Sequence, residues 1–272
     1  MAQSKLMILA LLIPLQLIAI HDPTTKGARS FGMGNIGVVG TGFHTVYNNQ
    51  AAMAYFDHIA AGIDYDQGFF ADHALSHQSA AFIFPTRVGA FGFNINYFGY
   101  AAYNEQKAGV AYGKQLGKKL ALGVQLNYFR SYIGADYGSA QAVSFEIAIY
   151  SMLTKEIELG AHIFNPIGMK IGQNHPEAIP VAFRFGLLYH VDKNLILLSE
   201  IEKILDQKES YKLGLEYQIS EHFMARTGLA TAPTLFTFGF GLYSPKLLLD
   251  IGAGFHQTLG FTPRISLRFN IK

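Results

Sequence analysis

The sequence contains no cysteine and no tryptophan. The first absence excludes a disulfide framework, a lipid-modified cysteine and thiolate metal sites. Charge is also scarce: Asp, Glu, Lys and Arg make up 15% of 272 residues, against roughly 25% in soluble domains. The net charge of +2 gives no basic surface of the kind that nucleic-acid binding needs, so no nucleic-acid partner is expected. Beyond residue 20 no apolar run reaches the roughly 20 residues of a spanning helix. Yet hydrophobic residues make up 50% of the chain. Something other than a helix must absorb that surface.

The first 20 residues read as a secretory signal. Met1 to Lys5 is short with one positive charge, and Leu6 to Ile20 is apolar apart from Pro14 and Gln16. Ile18-Ala19-Ile20 does not match an A-x-A cleavage pattern. The competing reading is a buried helix of the mature protein.

From about residue 57 the chain alternates with period two, the mark of a strand. Leu120-Ala-Leu-Gly-Val-Gln-Leu-Asn-Tyr128 is the clearest case: the odd-numbered face is Ala, Gly, Gln and Asn, the even-numbered face Leu, Val and Tyr. About fourteen such segments start near His58, Ser79, Gly89, Gln106, Leu120, Ala142, Ile157, Pro180, Leu195, Ser210, His222, Leu235, Leu247 and Pro263. Alternation is weakest at Ser79 and Leu195. Tight polar turns such as Gly117-Lys118-Lys119 and Asp192-Lys193-Asn194 alternate with longer links such as 131–141 and 166–179. That alternation is how outer-membrane barrels are connected. Lipid offers no partner to a free backbone N–H or C=O, so a lipid-exposed sheet must close on itself. The expected fold is all-β: a transmembrane antiparallel up-and-down β-barrel of about 14 strands over residues 57–272, in the outer membrane, in contact with outer-membrane lipid. A soluble sandwich would also alternate, but its outward residues would be polar.

The strand phase assigns Glu146, Arg184, Glu200, Glu202, Lys212, Glu216, Arg226, Asp250, Arg264 and Arg268 to the lumen, where their mixed signs predict ion-pair networks. Many glycines share that phase, among them Gly92, Gly109, Gly123, Gly160, Gly186, Gly214, Gly228, Gly239, Gly241 and Gly252. A wall of Gly and Ala leaves a wide pore or admits another piece of backbone at close range. Residues 21–56 do not alternate and supply that piece, an N-terminal hatch or plug inside the lumen. Its first part reads as a flexible Gly-rich strip with one Arg. Its last part reads as a helix, with Asn48 or Asn49 as N-cap before Gln50-Ala-Ala-Met-Ala54. Phe31, Met33, Phe43, Met53 and Tyr55 could line an apolar pocket between hatch and wall, or merely anchor the hatch.

Gly27-Ala28-Arg29-Ser30-x-Gly32-Met33-Gly34, followed by Tyr47-Asn48-Asn49-Gln50-Ala51-Ala52-Met53-Ala54, resembles the N-terminal region of the PorV/PorQ family. That family resembles the FadL-type fatty-acid channels, fourteen-stranded barrels with an N-terminal hatch. In these relatives the second motif usually reads Asn-Pro-Ala-Gly-Leu; here Gln50 stands for the Pro and Ala52 for the Gly. The resemblance implies a non-enzymatic barrel that assists type IX secretion or cell-surface attachment, with an outer-membrane or periplasmic protein partner. The alternative it implies is a passive channel for a hydrophobic small-molecule ligand.

Other motifs carry less. Gly32-x-Gly34-x-x-Gly37 matches a dinucleotide fingerprint but has neither the preceding strand nor the following helix. His73 and His77, beside Asp72, lack a third metal ligand. No Gly-x-Ser-x-Gly elbow is present. No enzyme activity, cofactor or metal is expected.

Overall fold

The computed structural model describes residue 21 and residues 23–67, 75–134, 138–173, 176–256 and 260–271. The signal segment expected at 1–20 lies outside the described residues. Short helical pieces come first: α1 (Ala28–Gly32), α2 (Thr45–Asn48) and a 3-10 turn at Ala52–Tyr55. The strands follow: β1 (Ile59–Asp66), β2 (His77–Thr86), β3 (Gly89–Tyr100), β4 (Tyr103–Gln115), β5 (Leu120–Ile133), β6 (Gly138–Met152) and β7 (Ile157–Phe164). A small hairpin comes next, β8 (Lys170–Ile171) and β9 (Glu177–Ala178). The last seven are β10 (Ala182–His190), β11 (Leu195–Ile204), β12 (Ser210–Gln218), β13 (Phe223–Thr231), β14 (Thr234–Tyr243), β15 (Leu247–His256) and β16 (Gly260–Ile271).

Fourteen of these strands form one closed barrel in which each pairs with its sequence neighbours, β7 with β10, and β1 with β16 across the seam. All pairs are antiparallel. Every N–H and C=O of a central strand therefore finds a partner, as a wall in hydrocarbon requires. Only β8 and β9 stand apart, as a hairpin in the long link after β7. The starts expected at Gly89, Leu120, Ile157, Leu195, Ser210 and Leu247 coincide with the observed ones. Those expected at Gln106, Ala142 and Pro263 fall three or four residues late. These strands extend past the apolar belt, where pairing continues but strict alternation stops.

The belt follows from the pleat. On β5, Leu120, Leu122, Val124, Leu126 and Tyr128 are exposed on the outside, while Ala121, Gly123, Gln125, Asn127 and Phe129 are buried inside. Eight steps of about 3.3 Å, tilted by about 40°, make this belt roughly 20 Å tall. Above it, Gln78, Tyr97, Gln106, Arg130 and Gln141 share one level of the register. That polar row caps the apolar belt. One end of the barrel carries tight turns and both ends of the wall, at Ile59 and Ile271. The opposite end carries the longer links and is called the loop end below. Val124→Arg places a charge on the belt at mid-height and is expected to cost about 2–4 kcal/mol. The check is the folded fraction recovered in lipid vesicles, read by heat-dependent gel mobility. A yield equal to the native chain would mean that this face does not meet lipid.

Candidate functional site: the hatch and its seat

Residues 23–56 run down the inside of the barrel from the loop end to the tight-turn end. At the top, the His21 amide donates to Glu105 (2.6 Å) and the His21 ring lies 3.0 Å from Ser131. At the bottom, Gln115 donates to the Ala54 carbonyl (3.1 Å). Between these points the wall glycines make the seat. A Cβ on Gly160 would land on the Val38 carbonyl, one on Gly228 on the Gly34 amide, and one on Gly123 on the Ala51 amide. At Gly214 it would lie 2.5 Å from the Met33 carbonyl oxygen, and at Gly252 2.6 Å from that of Ala28. Backbone thus lies on backbone around most of the circumference, an approach only glycine permits.

The hatch is also held by wall side chains. Glu200 accepts the amides of Gly37 and Val38 (2.9 and 3.0 Å) while Lys212 donates to it (2.8 Å) and to the Asn35 carbonyl (3.1 Å). Glu216 takes a two-pronged ion pair from Arg29 (2.8 and 2.6 Å) and a third bond from Arg226 (2.5 Å). Burial opposes the Arg29 charge, but Glu216 outweighs it and holds the guanidinium protonated well above the usual arginine range. Thr237 accepts from the Gly34 amide (2.8 Å) and donates to the Gly32 carbonyl (3.1 Å). Ser266 accepts the Ala28 amide (2.7 Å). Arg264 donates to the Thr25 carbonyl (3.0 Å), pairs with Asp66 (2.9 Å) and lies over the Phe31 ring (3.8 Å). Arg184 binds Glu202 and the Pro23 carbonyl.

The most enclosed cluster centres on Glu146, which is fully buried. Its carboxylate contacts Gln50 of the hatch (2.9 Å), His162 (2.8 Å), Lys107 (3.2 Å), Gln125 (3.1 Å) and Asn127 (2.7 Å). Gln50, at the position where the resembled motif has proline, therefore points into the wall as a donor. Asn49 donates to the Val38 carbonyl (2.7 Å) and accepts from the Ala51 amide (3.1 Å). Asn48 clasps Lys26 through both its amide and its carbonyl (2.9 Å each). Burial, then the Asp64 carboxylate, push the Tyr47 hydroxyl well above its ordinary range and keep it neutral.

Several expectations need correction. The Gly27–Gly34 stretch is not a loose strip: it makes one helical turn, with Phe31 bonding back to Gly27 (3.0 Å) and Asn35 to Phe31 (3.2 Å). Gly27 and Gly34 take positive φ (96° and 76°) at its two ends, where a side chain would be strained. The helix expected from Gln50 is split, with α2 ending at Asn48, Asn49 extended and the 3-10 turn starting at Ala52. The apolar residues proposed to share a pocket do not share one. Phe31 packs on Ala230 and Leu235, and Met33 joins Ile36, Val38, Leu188 and Leu198. Phe43 and Met53 lie with Val46 and Ile83, and Tyr55 packs on Tyr150. Phe43 and Met53 share one anchor point on β2, while Phe31, Met33 and Tyr55 fasten the hatch to other strands.

The lumen charges face inward, and all but Arg268 take a partner from hatch or wall. His162 and Asn94 join Gln125 and Asn127 of the inward β5 face in this network. All lie on the inward phase of their strands, so the same periodicity that located Glu146 marks them. His77 stacks on Phe98 (4.4 Å); His73 and Asp72 lie outside the described residues. Among the described residues, cavities lie beside the hatch at both ends. One of about 50 Å³ near the loop end is lined by His21, Lys26, Glu105, Lys107 and Phe164 among others. One of about 210 Å³ near the tight-turn end is lined by Arg29, Gly40, His44, Asp250 and Arg268 among others. Both are polar.

No family model matches the sequence, and neither does any curated protein. Solved structures do match in fold. The P. putida toluene transporter TodX superposes with a TM-score of 0.68 at 11% identity, covering 92% of this chain and 99% of that one. A Pseudomonas aeruginosa FadL homologue gives 0.67 at 11% identity, covering 93% and 100%. The Acinetobacter baumannii outer membrane protein Omp33 gives 0.52 at 9% identity, covering 79% and 98%. The chain thus has the fold of the FadL-type outer-membrane barrels.

Proposed function

We propose that this protein is a non-enzymatic outer-membrane channel for small hydrophobic molecules, in a state closed by its hatch. The tight-turn end faces the periplasm, following the connection rule of such barrels. The observation that carries the reading is the likeness in fold, along nearly the whole chain, to a toluene transporter. A lumen filled by a separate N-terminal segment fits gated rather than diffusive passage. The test is uptake of radiolabelled toluene by a Gram-negative host lacking its own hydrophobic channels. Expression of this chain should raise uptake several-fold without raising nitrocefin entry. Equal uptake with and without the chain would sink the channel reading.

One observation favours the second reading, an interaction barrel of the PorV/PorQ type in secretion or surface attachment. The hatch lies on the wall backbone, and the apolar side chains that could have lined a conduit are spent on anchoring it. A protein partner recovered in stoichiometric amount from native outer membranes, with no toluene uptake, would establish that reading instead.

A further inference from the structure

Among the described residues, Arg268 stands out from the paired charges of the barrel interior. Glu216 is taken by Arg29 and Arg226, and Asp250 by Arg226 at 2.7 Å. Tyr243 accepts from Arg226 (2.7 Å) and donates to Asp250 (3.2 Å). On the adjoining strand Asp64 is taken by His44 (2.8 Å). Arg268, on the inward phase of β16 and three residues from its end, receives none of these carboxylates. Its register partners are Gly62 and Leu248, which offer no side-chain acceptor. Its Nε is buried without a hydrogen-bond partner. A buried N–H without an acceptor is costly, and such a group calls for a ligand, a water or an ion.

Arg268 also lines the larger cavity, across from the hatch. The same cavity is bordered by Ser30, Thr45 and Ser266, by Arg29, and by the small-residue run Gly40-Thr41-Gly42. Three guanidinium groups and three carboxylates surround it, and Arg268 is the one cation among them without a carboxylate at ion-pair distance. Arg29, Arg226 and Arg268 face Glu216 and Asp250, with the His44–Asp64 pair alongside. At about 210 Å³, the space holds roughly seven waters at about 30 Å³ each. A small oxyanion with its hydration, or a compact organic acid, fits there.

We infer that Arg268 and the hatch together form an anion site at the tight-turn end of the barrel, for a small carboxylate or phosphate group. The hatch supplies one wall of the site through Arg29, Ser30 and Thr45, and the barrel supplies the other through Arg268 and Ser266. A bound anion supplies the acceptor that Arg268 lacks and ties the hatch to β16. The site does not depend on the transport reading, because it needs only the folded barrel with its hatch in place.

The test is calorimetric titration of the full chain in neutral detergent with sodium phosphate and, separately, with sodium benzoate. Native chain should bind at least one of them, and Arg268→Gln should weaken binding at least ten-fold. Arg268→Lys should keep part of it. No native bond to Arg268 is lost in the glutamine variant, and unchanged heat-dependent gel mobility verifies its fold. Binding of phosphate alone assigns the site to phosphate groups, and of benzoate alone to carboxylates. Native chain that binds neither, or glutamine and native chains that bind equally, would overturn the inference.

Discussion

Replacing Gly160 with valine is expected to unseat the middle of the hatch. The new Cβ would occupy the position of the Val38 carbonyl and lie 3.1 Å from the Asn49 side-chain nitrogen. The far wall cannot yield, because Gly160 is paired with Gly186 on one side and Tyr150 on the other. The hatch must move, and moving it pulls Gly37 and Val38 off Glu200. Overpacking of this kind costs about 1–3 kcal/mol, and stranding a buried acceptor costs about 1–3 kcal/mol more. A combined cost of about 3 kcal/mol raises the open population roughly 100-fold. Amide exchange over residues 37–49 should accelerate by that factor, and bilayer conductance should rise with it. Gly117→Val is the control, since a Cβ there meets nothing within 4 Å. Unchanged exchange in the Gly160 variant would show that the glycine seat does not hold the hatch.

The second large effect is expected at Glu146. Its carboxylate is the common acceptor for Gln50, His162, Lys107, Gln125 and Asn127. Removing it leaves Lys107 without the anion that it pairs with at 3.2 Å. Breaking a buried ion pair by deleting one partner costs about 3–5 kcal/mol. Glu146→Ala should therefore lower the urea midpoint of the detergent-folded chain by about 1 M or more. The chain has no tryptophan, so circular dichroism is the natural probe. Adding Lys107→Met to Glu146→Gln should recover part of the loss, because it removes the orphaned cation. A Glu146→Ala variant within 1 kcal/mol of native would show that the cluster is dispensable to the fold.

The wall was legible in the sequence because its physics is local. Each β5 residue meets lipid or lumen according to parity alone, so Leu120 to Tyr128 declare their faces without reference to any other strand. The same parity put Glu200, Lys212 and Arg226 inside. The hatch was legible only in outline. Glycines on the inward phase announced that backbone would come close, but not which backbone. The α1 turn depends on Thr237 and Ser266, more than 200 residues away, and nothing near Arg29 in sequence encodes it. For the same reason Phe31, Met33, Phe43, Met53 and Tyr55 looked like neighbours. Their true neighbours are Leu235, Leu198, Ile83 and Tyr150, each on a different strand. The β8–β9 hairpin, two residues per strand, is too short to show a period.

The seam between β1 and β16 also bears on how the barrel can assemble. The hatch leads directly into β1, while its glycine contacts are spread over strands as late as β15. A segment that fits so closely against a finished wall has no free bore through which to thread. The sheet must instead wrap around the hatch, and the pairing of Ile59 with Ile271 is the stitch that traps it. That stitch joins nearly opposite ends of the chain, a closure that is slow because the whole intervening loop must be ordered first. A variant that weakens the seat of the hatch is therefore expected to slow closure of the barrel during refolding into lipid, read as the rate at which the heat-resistant gel band appears.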